Sequence, residues 1–152
     1  MRCRSAVTWT LALLAAGCGR PSGRPLTPDD EATIELNDVA EMYRVFTADK
    51  HKPPEKLADF QAMEPMSPMG VRAVETGSVV VRYGAVLPDT EDEPGGGPGD
   101  EVLAYQKQVP GEGGKVLMLN RTVRAMTPEG FRAAKLAGTA SSEPPRTKAR
   151  GR

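Results

Sequence analysis

Apolar residues recur along the first third of this chain at helical spacing. Ala32, Leu36, Val39, Tyr43 and Phe46 follow a 4-3-4-3 pattern, which draws one apolar stripe down a helix. The opposite face carries Glu35, Asp38, Glu41 and Arg44, so the pattern predicts an amphipathic helix over 28–48 with its stripe in the core. Thr27-Pro28-Asp29-Asp30-Glu31 predicts its start, with Thr27 as cap, Pro28 in the first turn and three acids at the positive end of the dipole. Pro53 and Pro54 end it. A short second helix is expected over 55–63, with Leu57 and Phe60 three apart, and then an irregular crossing loop over 64–70. The methionines of that loop read as gap fillers, with a soft binding surface as the alternative.

The period then changes. Residues 71–75 and 78–83 read as a β-hairpin around Thr76-Gly77, since the second arm is β-branched and glycine suits a tight turn. Strands are expected over 101–106, 115–119 and 122–126, with turn chemistry at 110–114 and a corner at Asn120-Arg121. Arg121 suits the left-handed conformation poorly, so the corner is expected to be wider than a two-residue turn. Thr127-Pro128-Glu129 repeats the helix-start chemistry and opens a helix to about Leu136. The fold class is therefore α+β, a long N-terminal helix packed on a small antiparallel sheet, with disordered termini.

Both ends depart from this pattern. Arg2 and Arg4 precede an apolar run over 6–16 that closes in Ala15-Ala16-Gly17-Cys18. A basic start, an apolar middle and a small-residue exit predict a secretory signal peptide over 1–17. The run is shorter than the roughly 20 residues a membrane span requires. Its exit resembles the lipobox of bacterial lipoproteins, with Ala15 where that family usually has leucine. The resemblance implies lipidation of Cys18, because the thiol takes up the diacylglyceryl group, and an exported, lipid-anchored protein at a bacterial membrane, periplasmic or outer surface. Residues 18–26 would be the lipidated cysteine and a tether rich in Gly, Pro, Ser and Arg. The folded head would occupy 27–137 and a disordered basic tail 138–152. That tail reads as solubilising, with contact to anionic lipid through Arg146, Lys148, Arg150 and Arg152 as the alternative.

Composition narrows the function classes. The 152 residues suit one domain, and 16 Gly with 14 Pro imply substantial loop. Lys plus Arg and Asp plus Glu both number 20, and loss of Arg2 and Arg4 leaves a net charge of −2. That balance points away from nucleic acid. With Cys3 discarded and Cys18 lipidated, neither of the 2 cysteines is left for a disulfide or a metal site.

Candidate chemistry is sparse. His51, the 1 histidine, stands between Lys50 and Lys52 and reads as a surface residue. Gly95-Gly96-Gly97 lacks the lysine and hydroxyl of a phosphate loop. Ser67, Ser78, Ser141 and Ser142 have no base nearby in sequence, so the chain is read as not an enzyme. The acidic loop 88–100 carries Asp89, Glu91, Asp92, Glu93 and Asp100, ahead of Glu101. Calcium takes about 6–8 oxygens, which these carboxylates can supply, with Asp89, Glu91, Asp92 and Asp100 as the expected ligands. The competing reading is a solvated acidic linker with no cofactor.

Residues 36–136 resemble the head domain of pilin-like proteins, especially type II secretion pseudopilins and related planctomycete-type proteins. The resemblance rests on 36–46, on Pro53-Pro54-Glu55-Lys56-Leu57-Ala58-Asp59-Phe60, on Val102-Leu103-Ala104-Tyr105 and on 113–123. That family has Asp-Gly where this chain has Asn120-Arg121. Its heads can bind calcium in a loop among the last strands. It also carries a long apolar helix for filament packing, and Cys18 would stand in for that helix as anchor. The resemblance implies a non-enzymatic interaction or assembly module with envelope protein partners. The alternative is a calcium- or small-ligand-binding head.

Overall fold

The computed structural model describes residues 25–88, 94–96 and 99–140. Cys18 and the basic residues from Arg146 onward lie outside that set. The fold is α+β, with a long helix packed across an antiparallel sheet.

Helix α1 (Pro28–Lys50) starts where the capping chemistry places it. Thr27 Oγ1 accepts from the Asp30 N–H at 3.2 Å, and the Asp30 carboxylate accepts from the Thr27 N–H at 3.0 Å. Two orphan donors of the first turn are thereby satisfied. All five predicted stripe residues are buried, joined by Ala40 and Met42, which widen the stripe toward a second partner. The helix ends at His51, whose φ of 53° and ψ of 28° turn the chain before the prolines.

That second partner is a helix the sequence pattern did not predict. Residues 68–76 form α3 (Pro68–Thr76), so the expected hairpin has only one strand arm. Pro68 sits in the first turn, and the Asp38 carboxylate of α1 accepts from the Gly70 N–H at 3.1 Å, capping α3 from outside its own sequence. Gly77, at φ 74°, is the C-cap, its N–H bonded to Val74 O. The glycine read as a hairpin turn supplies the same positive φ to end a helix. The second helix is likewise shorter than expected: α2 (Ala58–Gln61) buries Phe60 alone. The Asp59 carboxylate accepts from the Glu55 and Lys56 N–H groups at 2.8 and 3.2 Å, so 55–57 form a turn ahead of α2.

The sheet contains β1 (Val79–Tyr83), β2 (Val102–Gln106), β3 (Gly114–Met118), β4 (Val123–Met126) and β5 (Thr139–Ala140), in the order β4-β3-β2-β1-β5. Every neighbouring pair is antiparallel, with a register shift between Val102 and Ala104. β5 corrects the expectation that disorder begins at Gly138. Thr139 pairs with Tyr83 and Ala140 with Arg82, while the Arg82 guanidinium donates to the carbonyls of Ala137 and Gly138 at 2.8 and 2.9 Å. Main-chain pairing and a charged donor hold this segment without large apolar side chains.

Successive residues of a strand face opposite sides, and both faces of β3 are buried. Leu117 joins Leu36, Tyr43, Phe60 and Leu103 beneath α1, whereas Val116 and Met118 join Val102, Val109 and Phe131. That second cluster lies beneath α4 (Val109–Glu112) and α5 (Pro128–Ala133). Tyr105 and Phe131 stack there with centroids 4.6 Å apart. The stretch expected as a turn at 110–114 thus includes a small helix, and the last helix ends at Ala133 rather than near Leu136.

Tyr43 joins the layers. Its hydroxyl donates to Arg82 O at 3.2 Å and accepts from the Ala85 N–H at 2.9 Å. Burial pushes its pKa up to about 12, the bond from Ala85 pulling the other way. The folded chain holds this proton where an unfolded tyrosine, near 10.0, has lost it, so stability falls as pH rises from 10.0 to about 12. Tyr43→Phe is expected to cost about 1–3 kcal/mol near neutrality, by orphaning the Ala85 N–H. It should also flatten the alkaline loss. Urea midpoints at about pH 8 and about pH 11 check both, and equal alkaline slopes in the two proteins would refute the assignment.

Candidate interaction surface

Of the four proposed calcium ligands, Asp89, Glu91 and Asp92 lie outside the described residues. Asp100 is described and exposed. Among the described residues no three His, Cys, Asp or Glu side chains gather into a metal-binding group. The described parts of the acidic loop rest on the β3–β4 corner. The Gly95 N–H donates to Asn120 O at 2.8 Å, and the Leu119 N–H donates to Glu101 O at 2.8 Å.

The corner itself is the wider turn expected. The Arg121 N–H bonds to Met118 O and the Met118 N–H to Thr122 O, leaving a three-residue loop with Arg121 at φ 65°. The Asn120 carboxamide oxygen accepts from both the N–H and the hydroxyl of Thr122. The Arg121 side chain is buried toward α1. The Glu41 carboxyl is held below its usual range chiefly by its bond to the Arg44 guanidinium at 2.9 Å, with a smaller contribution from Arg121.

Two grooves open on the surface of the described residues. The first, of about 260 Å³, lies between α1 and the α2–α3 connection and is lined by Glu41, Met42, Val45, Met63, Met66 and Ser67. Met42 and Met63 are buried and fill space, while Met66 stands 68% exposed. The methionines of the expected crossing loop are Met66 and Met69, and Met69, half-buried, belongs to α3.

The second groove, of about 430 Å³, lies between β4 and α5. Phe131 stacks on Tyr105, and Lys135 O accepts from the Val102 N–H at 2.8 Å, so the chain folds back along the sheet after β4. Met126, Gly130, Ala133 and Ala134 provide an apolar lining, and Arg124, Lys135 and Asp100 provide charge. Arg124 and Lys135 are exposed, and among the described residues neither forms an ion pair.

This groove borders an open sheet edge. Met118 bonds to Thr122, so Thr122, Arg124 and Met126 turn their backbone groups toward β3. By alternation Val123 and Ala125 turn theirs outward. Ala125 is exposed, and among the described residues no backbone bond reaches its outward side. At the other end of the sheet Val79 and Val81 are buried, and β5 pairs with Tyr83. The sequence pattern puts Arg124 and Met126 in a strand and Lys135 on the inner edge of the last helix, whereas α5 ends at Ala133 and Lys135 is exposed beyond it. The available signal was that β4 follows a tight corner and precedes a helix, leaving nothing to pair its far side.

No protein-family model, curated protein or solved structure matches this chain. Among the described residues no helix is long and apolar enough to cross a membrane.

Proposed function

We propose that this protein is a lipid-anchored component of a bacterial envelope whose head is a non-enzymatic interaction module. The observation that carries the interaction reading is the open β4 edge beside a groove whose two cations, Arg124 and Lys135, form no ion pair among the described residues. The anchor reading rests on the sequence through Cys18, and the long helix laid on an antiparallel sheet accords with a pilin-type head. Two acyl signals at Cys18 suffice for stable anchoring.

Labelling with radioactive palmitate and membrane fractionation test the anchor. The wild type is expected to be labelled and sedimented with membranes. Cys18→Ala should be unlabelled, and uncleaved or released, with its head still folded. A Cys18→Ala protein that is cleaved and remains membrane-bound overturns the anchor. Photo-crosslinkers placed at Ala125 and Met66 in intact membranes test the module, each groove being sampled once. A discrete adduct from either position supports it, and silence from both overturns it.

A further inference from the structure

We propose that the β4 edge binds an extended peptide segment of a partner protein by strand addition, selecting the pattern apolar-any-acidic. This rests on the interaction reading above and names the partner's chemistry. Val123 and Ala125 offer outward N–H and C=O groups, which an extended chain can pair without displacing anything described. Arg124 and Met126 point to the opposite face from Ala125, into the groove beneath α5.

An added antiparallel strand must match that alternation. The residue opposite Arg124 projects onto the groove face and meets a guanidinium with no carboxylate of its own. Two positions earlier, the residue opposite Met126 projects over Met126 and Gly130, where only an apolar side chain loses little on leaving water. The intervening residue points to the other face and is unrestricted. Lys135 adds a second positive charge to the groove, and Asp100 limits the run of acids the segment can carry. The remaining charges of α5, Arg132 and Glu129, are paired with each other at 2.9 Å. Exposed edges are commonly protected by a charged side chain. Here the charge stands over a groove, so it attracts an acidic strand and disfavours a basic one.

The probe is a fluorescein-labelled Thr-Thr-Val-Thr-Glu-Thr-Thr peptide, titrated against the full chain in detergent and read by anisotropy. Saturable binding is expected, weakened about tenfold by Arg124→Glu and by a lysine in place of the peptide's glutamate. Ala125→Pro removes an outward N–H while leaving the β3–β4 ladder intact, and is expected to abolish binding with an unchanged circular dichroism spectrum. Should Ala125→Pro unfold, Arg124→Glu with the charge-swapped peptide still decides. No saturation by about 1 mM peptide overturns the proposal, as does binding indifferent to Arg124→Glu. Sedimentation of the protein alone is expected to give a monomer, and a dimer lost in Ala125→Pro would assign the edge to a second copy and overturn it. Adducts from the photo-crosslinkers without peptide binding would sink this inference and leave the interaction module standing.

Discussion

Replacing Phe60 by alanine is expected to remove about 3–5 kcal/mol of stability, close to the whole margin of a small domain. Phe60 has no exposed surface and is the only buried residue of α2. Its ring lies 6.1 Å from that of Tyr43 on α1 and 5.8 Å from that of Tyr83 on β1. Aromatic pairs of this kind add about 0.5–1.5 kcal/mol each beyond the area they bury. A four-residue helix has no stability of its own, because nucleation costs more than so few hydrogen bonds return. Phe60 therefore holds α2 in place, and α2 positions Met63 at the first groove. Urea denaturation should show a lower midpoint with an unchanged slope for Phe60→Ala, and a smaller loss for Phe60→Leu. A loss below about 1 kcal/mol for the alanine variant would mean that α2 is not docked as described.

The parts of this fold that were legible in the sequence are those whose causes are local. The stripe from Ala32 to Phe46, the Thr27 capping box and the Thr127 cap lie within a few residues of the elements they create. Strands β2, β3 and β4 each have turn chemistry close at hand. Helix α3 is the opposite case. Val71 and Val74 favour a strand, and Gly77 serves a hairpin turn as well as a helix end. The choice is made by Asp38, whose carboxylate caps Gly70 from 32 residues earlier, and by burial of Val71 and Ala73 against the first layer. Nothing within 68–77 reports that carboxylate. The β4 groove was hidden for a similar reason. Arg124, Met126 and Lys135 share a wall only because Phe131 folds back onto Tyr105, a contact 26 residues apart in sequence that local periodicity does not express. Asp100, the one described residue of the four expected calcium ligands, lines the same groove as Arg124 and Lys135, a grouping that no sequence spacing expresses.

Gly70 carries the other large effect, and its sign distinguishes helix propensity from packing. In an open helix interior, glycine to alanine gains about 1 kcal/mol because glycine loses the most backbone freedom on folding. At Gly70 a Cβ would stand 2.6 Å from Asp38 Cβ and 3.1 Å from the Asp38 carbonyl carbon, with Met42 Cε at 3.0 Å. The methionine methyl can swing away, but the first two atoms belong to α1 itself and cannot. The helices must therefore separate, which strains the core by about 1–3 kcal/mol and lengthens the charge-assisted Gly70–Asp38 bond, itself worth about 1.5–3 kcal/mol. These costs exceed the propensity gain, so Gly70→Ala is expected to destabilise and Gly70→Val to do so by about 3 kcal/mol or more. Gly111 in α4 is the matched control, since its Cβ would meet nothing within 4 Å. Gly111→Ala is expected to be neutral or stabilising by up to about 1 kcal/mol. Opposite signs for the two alanine variants in the same urea titration place α3 directly against α1. Equal signs would show that 68–76 does not cross α1 at Gly70, and the helix would lose the external cap that distinguishes it from the hairpin its valines favour.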